Sequence, residues 1–324
     1  MNKQFRSGVT RRQAIQGGLA AGVGIALAGC GTLADRSSEG LITKAMPSSG
    51  ERLPVIGIGA AGFKQDNFEN LKVVLQRFNE LGGRVIDTSS KYGDSETVIG
   101  QALAELGTTR QTFISTKLLA KIPGPLPPGT RPPPPDMLYG AESLERSLRL
   151  LKTNHLDLLS VHSMIGIDEL MPLLVKWKQA GRIRYIGASS WLVQEHAQLI
   201  ECMKKYPLDI VEVNYSIAAR EAAVTVFPVA IERKIGVIAN VPLGQGATIA
   251  ASRNRPLPPF AAELGCTTWV QLMLKYVVSH PAVICTIPGS TKLEHLEDNQ
   301  AAGLGKLPDQ ATRKKLEELW DQAV

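Results

Sequence analysis

Residues 84–100 read RVIDTSSKYGDSETVIG and contain one complete strand-to-helix unit. A short apolar run, Val85–Ile86, stops at Asp87, and a turn of small polar residues follows. The chain then continues as ETVIGQALAELG (96–107), whose apolar residues recur at helical spacing up to a closing glycine. This unit predicts a strand that ends at an acid, with Tyr92 on the turn beyond it.

The same unit recurs along the chain from Pro54 onward. Helical segments alternate with short apolar runs: VIGIG (55–59), RVIDT (84–88), TFISTK (112–117), LDLLSVH (156–162), RYIGASS (184–190), DIVEVNY (209–215), GVIAN (236–240) and VICTIP (283–288). Strands alternating with helices over roughly 250 residues favour a single-domain α/β fold, the (β/α)8 TIM barrel. A doubly wound open sheet is the alternative, but no Gly-x-Gly-x-x-Gly sequence follows the first strand.

The first 29 residues resemble an export signal. Arg11 and Arg12 precede an apolar stretch, residues 14–29, that is too short and too weakly apolar to span a membrane. This pattern predicts a twin-arginine signal peptide over residues 1–29. The stretch ends Leu-Ala-Gly-Cys, which is similar to a bacterial lipobox, so we expect Cys30 to be lipidated. The chain is then an exported, periplasmic or membrane-anchored lipoprotein; a plain cleavage site or a frayed tail is the alternative.

The composition of the rest of the chain is that of an ordinary globular protein, with 44% apolar and 20% charged residues. Residues 30–50 are small and polar and predict a linker, which leaves the barrel to residues 51–324. Without the four basic residues before Cys30, the formal charge falls from +6 to +2, which gives no case for nucleic acid as a partner. The five histidines form no ligand cluster, so no metal site is predicted.

Polar or turn-forming residues close most of the predicted strands: Asp87, Lys117, His162, Ser189–Ser190, Glu212 or Tyr215, Asn240 and Pro288–Gly289. Active sites of (β/α)8 barrels lie at the carboxyl ends of the strands, so these residues are candidates for function. Each also has a structural alternative. Asp87 could cap a helix, Lys117 could extend to solvent, and His162 could be a hydrogen-bonded core residue.

Asp87, Tyr92, Lys117 and His162 together suit proton transfer to a carbonyl oxygen. A tyrosine has an ordinary pKa near 10, and a nearby ammonium group lowers it. A carboxylate beside the lysine would hold the ammonium in place, and a histidine can orient the substrate oxygen. None of these groups is a hydride source, so a reduction requires a cofactor.

From about Arg52 to Ala302 the chain resembles the aldo-keto reductase family. DTSSKYGDSETVIG is similar to the family's D-T-A-x-x-Y-G-x-E signature, FISTK to its lysine strand, LDLLSVH to its histidine strand, GRIRYIGASS to G-K-I-R-Y-I-G-V-S-N, and IPGSTKLEHLEDN to its C-terminal cofactor motif. The resemblance implies that Tyr92 is the general acid, that Asp87 and Lys117 tune it, and that His162 orients the carbonyl. It also implies that NADP(H), with NAD(H) as the alternative, supplies hydride to an aldehyde or ketone.

The resemblance further implies a cofactor site made of Ser189, Ser190, Glu212, Asn240, Leu243, Gly244, Gln245, Gly246, Gly289, Ser290, Thr291, Lys292, His295, Asp298 and Asn299. Several of these positions depart from the family pattern. Ser190 stands for an asparagine, Glu212 for a glutamine, and Asn240 for the aromatic residue that stacks on the nicotinamide. The first strand ends Gly59-Ala60-Ala61 in place of Gly-Thr-Trp or Gly-Thr-Tyr. Stacking contributes ~0.5–1.5 kcal/mol beyond burial, so we expect weakened cofactor binding or a changed nicotinamide geometry.

Two functions remain open from the sequence. The preferred hypothesis is a carbonyl reductase, exported with its cofactor bound and served outside the cytoplasm by a redox partner protein. The alternative is a membrane-anchored ligand-binding or interaction module with weakened cofactor binding. The segment PGPLPPGTRPPPP (123–135) bears on both, because it follows Lys117 and favours extended polyproline II structure. It could be a stiff rim, a disordered insert or a docking segment.

Overall fold

The computed structural model describes residues 40–121 and 138–322. The predicted signal peptide, Cys30 and the proline-rich segment 123–135 therefore lie outside the described residues. The strands are β1 (Thr43–Ala45), β2 (Arg52–Pro54), β3 (Ile58–Gly59), β4 (Val85–Asp87), β5 (Phe113–Leu118), β6 (Leu156–Val161), β7 (Ile183–Ser189), β8 (Ile210–Asn214), β9 (Gly236–Asn240) and β10 (Val283–Thr286). The helices are α1 (Phe68–Glu80), α2 (Ser95–Leu106), α3 (Gly140–Leu150), α4 (Ile167–Gln179), α5 (His196–Lys205), α6 (Glu221–Glu232), α7 (Ala247–Ser252), α8 (Phe260–Glu263), α9 (Trp269–Ser279), α10 (Leu293–Ala301) and α11 (Gln310–Asp321).

Strands β3 to β10 form one parallel sheet in chain order, which confirms the predicted (β/α)8 barrel. The first and last strands of this sheet meet through bridges between Ile56 and Thr286 and between Gly59 and Gly289. A Cβ atom on Gly59 would lie 2.8 Å from the Ile287 carbonyl oxygen, so this close approach requires a glycine. Regular pairing of the first barrel strand is limited to Ile58–Gly59, although the apolar pattern predicts residues 55–59.

The interior of the barrel changes from apolar to polar along the strand direction. An apolar layer is built from inward-facing residues near the strand starts: Val85, Phe113, Leu158, Tyr185, Ile210, Ile238 and Ile284. Side chains in a strand alternate between its two faces, so Asp87 on β4 and Glu212 on β8 point to the same interior two residues later. The polar layer is thus placed at the carboxyl ends of the strands, above an apolar floor.

A hairpin of β1 and β2 covers the floor of the barrel, with Thr43 paired to Pro54. Residues 43–50 belong to the range predicted as a linker, and the structure places them in this hairpin and its turn. The physical reason is Met46, which is 1% exposed and packs in the apolar layer within an otherwise polar stretch. Arg184 fastens the turn, because its guanidinium donates to Glu51 at 2.6 Å and to Asp157 at 2.6 Å.

The helix end predicted at Gly107 agrees with the backbone, and α4 ends in the same way. Helices α2 and α4 are followed by Gly107 and Gly181, both with positive φ angles, 69° and 71°. Such a left-handed residue at a helix C-terminus favours glycine. In the two described ranges, no helix combines the length and apolar character that a membrane crossing requires.

Candidate active site

Asp87 and Lys117 meet inside the barrel because β4 and β5 are neighbours, with Asp87 aligned to Ser115. The Lys117 Nζ atom donates to Asp87 Oδ2 and, at 3.0 Å, to the Thr88 carbonyl oxygen. The Ser115 hydroxyl donates to Asp87 Oδ1 at 2.7 Å. Lys117 is 1% exposed, so its ammonium is compensated by these buried partners and not by solvent.

A second carboxylate reaches Lys117 from the opposite wall of the barrel. Glu212 lies on β8, and its Oε2 atom is 3.0 Å from Lys117 Nζ. The sequence assigns Glu212 to the cofactor and does not predict this contact. Alternation along β8 places Glu212 inward, but the distance across the barrel follows only from the closed fold.

Tyr92 and His162 lie above this charged cluster. Their rings meet edge to face with centroids 5.8 Å apart, and Lys117 Nζ is 5.8 Å from the Tyr92 ring centroid. The four residues predicted to be catalytic therefore come together at the mouth of the barrel. Tyr215, the other polar candidate at the end of β8, does not: it is fully buried and packs on Phe227 with ring centroids 4.8 Å apart.

The electrostatics of the cluster differ from a simple lysine–tyrosine pair. Burial and the nearby Glu212 carboxylate raise the pKa of Asp87 to about 7, although Lys117 acts against them. Burial lowers the pKa of Lys117, but Asp87 and Glu212 outweigh it and hold the pKa above its ordinary range. Lys117 lowers the pKa of Tyr92, as predicted, but burial and the two carboxylates together raise it to about 12.

His162 is held as a neutral imidazole. Burial, followed by the charges of Lys117 and Lys91, lowers its pKa to about 3. Its Nδ1 atom lies 3.0 Å from the Ser89 hydroxyl, which also accepts the Lys91 backbone N–H at 3.2 Å. The Ser89 proton is thus available to Nδ1, and this assignment leaves the imidazole proton on Nε2.

The turn after His162 is strained, and Ser189 supports it. Ser163 and Met164 adopt positive φ angles of 49° and 55°, which are uncommon for residues other than glycine. The Ser163 N–H donates to the Ser189 hydroxyl at 3.1 Å. The next hydroxyl, that of Ser190, donates to Glu195 at 2.8 Å. Ser189 and Ser190, which are predicted to bind the cofactor, therefore already contact other parts of the protein.

Asn240 joins Glu212 in place of the expected aromatic ring. Its side-chain nitrogen donates to Glu212 Oε1 at 3.1 Å and to the Ser190 carbonyl oxygen at 3.0 Å. Two buried acceptors remain without a hydrogen-bond donor, Asn240 Oδ1 and Glu212 Oε2. The contact of Oε2 with Lys117 is an ion pair that lacks hydrogen-bond geometry. An unsatisfied buried acceptor is costly, which points to a donor-bearing ligand at this place.

The predicted phosphate-binding segments follow β9 and β10, which are neighbouring strands, and so share one side of the barrel mouth. Gly244, Gln245 and Gly246 form a turn with positive φ angles of 55°, 54° and 93°, directly after Leu243. The second segment begins at Gly289 and Ser290. Beyond them, Asn70 donates to the Thr291 carbonyl oxygen at 2.7 Å.

The far end of the predicted cofactor site is divided between exposed and structural residues. Lys292 and His295 are exposed, each within 4 Å of Glu294. Asp298 instead accepts from Thr268 at 2.9 Å and from Gln271 at 2.7 Å, and so holds the first turn of α9. Asn299 is 4% exposed. Lys292 and His295 are therefore open to a ligand, while the Asp298 carboxylate already has protein donors.

Comparison with known proteins gives one consistent result. Residues 55–321 match the model of the aldo/keto reductase family. A relative, the aldo-keto reductase yakc [NADP(+)] of Schizosaccharomyces pombe, is 28% identical over 84% of this chain and 90% of its own length.

Two solved structures show the same fold. The holo form of the aldo-keto reductase AKR11C1 from Bacillus halodurans superposes with a TM-score of 0.69 and 23% identity, covering 86% of this chain and 96% of its own. An aldo/keto reductase from Klebsiella pneumoniae in complex with NADP and acetate superposes with a TM-score of 0.67 and 24% identity, covering 84% and 93%.

Proposed function

Because the chain belongs to the aldo/keto reductase family, we propose that it reduces an aldehyde or ketone to an alcohol and uses NADP(H). The observation that carries this proposal is the buried Asp87–Lys117 pair beneath Tyr92 and His162 at the mouth of the barrel. A barrel used only for binding has no need of a phenol placed above a buried ammonium. The substrate class is a small carbonyl compound.

Each residue of the site has one part in the proton transfer. Tyr92 donates its phenolic proton to the carbonyl oxygen as negative charge develops there. His162 is neutral and donates from Nε2 to the same oxygen, which orients it. Lys117 and Asp87 supply a fixed charge below the phenol. When it is bound, the reduced nicotinamide supplies the hydride.

The residues present fit such a cofactor. Asn240 Oδ1 and Glu212 Oε2 are buried acceptors without donors, which suits the amide N–H groups of a nicotinamide carboxamide. Lys292 and His295 are exposed basic side chains, which suit phosphate groups. The name of the Schizosaccharomyces pombe relative includes NADP(+), and the Klebsiella pneumoniae protein was solved with NADP, so we favour NADP(H) over NAD(H).

The first test is a titration of the protein with NADPH and with NADH, in which binding is monitored through the tryptophan fluorescence of the protein. We expect saturable binding with a preference for NADPH. A Tyr92→Phe variant is expected to keep this affinity within about threefold and to lose carbonyl reduction by a factor of about 10² or more, because only the proton donor is removed.

Two outcomes would contradict the proposal. Carbonyl reduction that survives in Tyr92→Phe would show that another group supplies the proton. Absence of binding for both nucleotides would favour the alternative function, a ligand-binding or interaction module on the same barrel.

We also propose that the protein is exported and anchored to a membrane surface by a lipid on Cys30. The twin arginines and the Leu-Ala-Gly-Cys sequence support this proposal. Catalysis outside the cytoplasm would then require a redox partner protein to recycle a tightly held cofactor.

A further inference from the structure

The second carboxylate beside Lys117 has a consequence for the proton donor. We propose that Glu212 is a positioning residue for the general acid: as a second counter-ion of Lys117 it keeps the proton on Tyr92, so that the phenol remains a proton donor for carbonyl reduction up to high pH. This inference rests on the proposed function and deepens it. It concerns the charge of Glu212 beside Lys117 and is first tested without cofactor, so it does not depend on the proposed contact of Glu212 with a nicotinamide.

The geometry shows how Glu212 competes for the ammonium. An ammonium group has three N–H donors. Lys117 directs two of them to Asp87 Oδ2 and the Thr88 carbonyl oxygen. Glu212 Oε2 lies 3.0 Å from Nζ. Its negative charge offsets part of the ammonium charge, so Lys117 stabilises a Tyr92 phenolate less. Tyr92 is left with a more distant contact, 5.8 Å from its ring centroid to Nζ.

Glu212 is held in this place by the neighbouring strand. Asn240 on β9 donates to Glu212 Oε1 at 3.1 Å and is itself anchored on the Ser190 carbonyl oxygen at 3.0 Å. The side chain of Glu212 is 5% exposed, so water screens the carboxylate little. The position of the carboxylate is therefore fixed by two residues that carry no charge of their own.

The buried charges around Tyr92 sum to a negative value, and Lys91, which is only partly buried, is left out of that sum. The ionisable groups that face it are Asp87 from β4, Lys117 from β5, His162 after β6 and Glu212 from β8, with Lys91 beside it on its own turn. His162 is neutral because burial, then Lys117 and Lys91, lower its pKa to about 3. One buried ammonium therefore faces two buried carboxylates, which together oppose a third anion, the Tyr92 phenolate.

This balance bears on how Tyr92 is kept ready to donate. In reduction, the carbonyl carbon accepts a hydride from the reduced nicotinamide, which is thereby oxidised, and the carbonyl oxygen takes the Tyr92 proton. The Tyr92 O–H bond breaks, and solvent later returns a proton to the phenolate. The negative charge of the two carboxylates favours that return, so the phenol holds its proton between turnovers over a wide range of pH.

The test is a spectroscopic titration of Tyr92 that requires no cofactor. Tyrosinate absorbance is measured as a function of pH in the protein and in a Tyr92→Phe variant. Subtracting the variant's curve removes the signal of the other tyrosines and leaves that of Tyr92. In the unmodified protein we expect Tyr92 to be still protonated at about pH 10, where an ordinary tyrosine is half ionised. A midpoint below that pH would overturn the inference without any change at Glu212.

The Glu212→Gln variant tests the cause, because glutamine keeps the size and an oxygen for Asn240 and removes the charge. We expect the Tyr92 midpoint to fall by at least about one pH unit, a tenfold change in its ionisation constant. Glu201→Gln is the matched control, since Glu201 is exposed and pairs with Lys204 on the surface. An unchanged midpoint in Glu212→Gln would overturn the inference, and a Glu212→Asp variant should restore the high midpoint.

The pH profile of carbonyl reduction gives the second readout. In the unmodified protein we expect the rate to hold up to about pH 10, and in Glu212→Gln we expect its fall at high pH to begin about one pH unit earlier. A fall at the same pH in both active proteins would overturn the inference and leave the proposed function intact. Failure of the proposed function is recognised separately, by the absence of nucleotide binding in the unmodified protein.

Discussion

At the scale of single residues, His162 illustrates how burial decides chemistry. A histidine with its ordinary pKa near 6.5 would change charge close to neutral pH. Burial, with the charges of Lys117 and Lys91, lowers the pKa of His162 to about 3, so the neutral form is present throughout that range. With the Ser89 hydroxyl assigned as the donor to Nδ1, Nε2 carries the imidazole proton and is the nitrogen that donates. His162 is thus suited to orient an oxygen and unsuited to supply a positive charge.

This predicts a pH profile without a histidine step. The rate of carbonyl reduction should show no inflection near pH 6.5, and a His162→Gln variant should lower the rate at all pH values without changing the shape of the profile. The measurement is kcat/KM against pH for both proteins. An inflection near pH 6.5 that disappears in His162→Gln would show that the imidazole titrates and would contradict the neutral assignment.

Removing Lys117 should make stability strongly dependent on pH. A Lys117→Met variant leaves Asp87 and Glu212 buried without a cation, and loss of one partner of a buried ion pair costs about 3 to 5 kcal/mol. We expect that loss at about pH 8 and a smaller loss at about pH 5, where carboxyl groups take up protons.

The sign follows from Asp87. Burial, then Glu212, raises the pKa of Asp87 from an ordinary 3.8 to about 7 even with Lys117 present, and removing Lys117 raises it further. The stability gained by protonating Asp87 in the folded variant is therefore complete at low pH and is lost only as the pH rises above 7. The free energy of unfolding, from urea titrations at both pH values, checks this. Lys178→Met is the control, because Lys178 pairs with Asp209 near the surface and should cost at most about 1 kcal/mol. Equal losses for Lys117→Met at both pH values would show that proton uptake does not compensate the missing cation.

The meeting of the four residues predicted to be catalytic could be predicted from the sequence, because three stand at or directly after strand ends and Tyr92 lies on the turn after one, and a barrel brings strand ends together. The contact of Glu212 with Lys117 could not, since it joins opposite walls of the barrel and depends on its diameter. The role of Asn240 was hidden for the same reason. An asparagine where the family has an aromatic residue predicts that the stacking ring is missing. It does not predict the new hydrogen bond from Asn240 to Glu212.

At the scale of elements, the hairpin of β1 and β2 contributes more to the stability of the barrel than its short strands indicate. Met46 is 1% exposed and closes the apolar layer at the floor of the barrel. A Met46→Ala change should lower the free energy of unfolding by about 2 to 4 kcal/mol, because it removes buried atoms and leaves a cavity. NADPH affinity should stay unchanged, since the cofactor residues lie at the other end of the strands. Chemical denaturation and fluorescence titration of the same preparation test both statements.

The control for this change is Met46→Leu, which nearly conserves volume and should cost less than about 1.5 kcal/mol. If Met46→Ala weakened nucleotide binding, the floor and the mouth of the barrel would be coupled and the separation into two layers would be incorrect.

Elements differed in how well the sequence predicted them, and the reason is their length. The helices α2 and α4 span three turns and end at glycines, so periodicity and the C-terminal signal agree. The strands β1 and β2 have three residues each, too few to show alternation. Small polar residues around Met46 made this region resemble a linker, and only the packing of Met46 reveals the hairpin.

At the scale of the whole molecule, we propose separate tasks for the barrel and for the predicted signal peptide with Cys30. The described residues bury one continuous apolar core under the helices and one layer inside the barrel, and the site lies on the far side of that layer. The formal charge of +6 falls to +2 once the four basic residues before Cys30 are left out. A body so close to neutral has little electrostatic attraction to an anionic membrane, which for basic clusters is about 1 kcal/mol per residue. The proposed membrane attachment therefore relies on a lipid at Cys30.

This predicts how the protein behaves in cell fractions. The full-length chain should remain with membranes in a high-salt wash, because salt screens charges but does not weaken the burial of acyl chains. Cys30→Ala should move it to the fraction without membranes at low salt. Cys202→Ala is the matched control, since Cys202 is buried in the barrel and should leave the distribution unchanged. Release of the unmodified protein by salt would indicate electrostatic binding, and retention of Cys30→Ala would refute lipidation at Cys30, because in neither case would acyl chains be holding the nearly neutral barrel at the membrane.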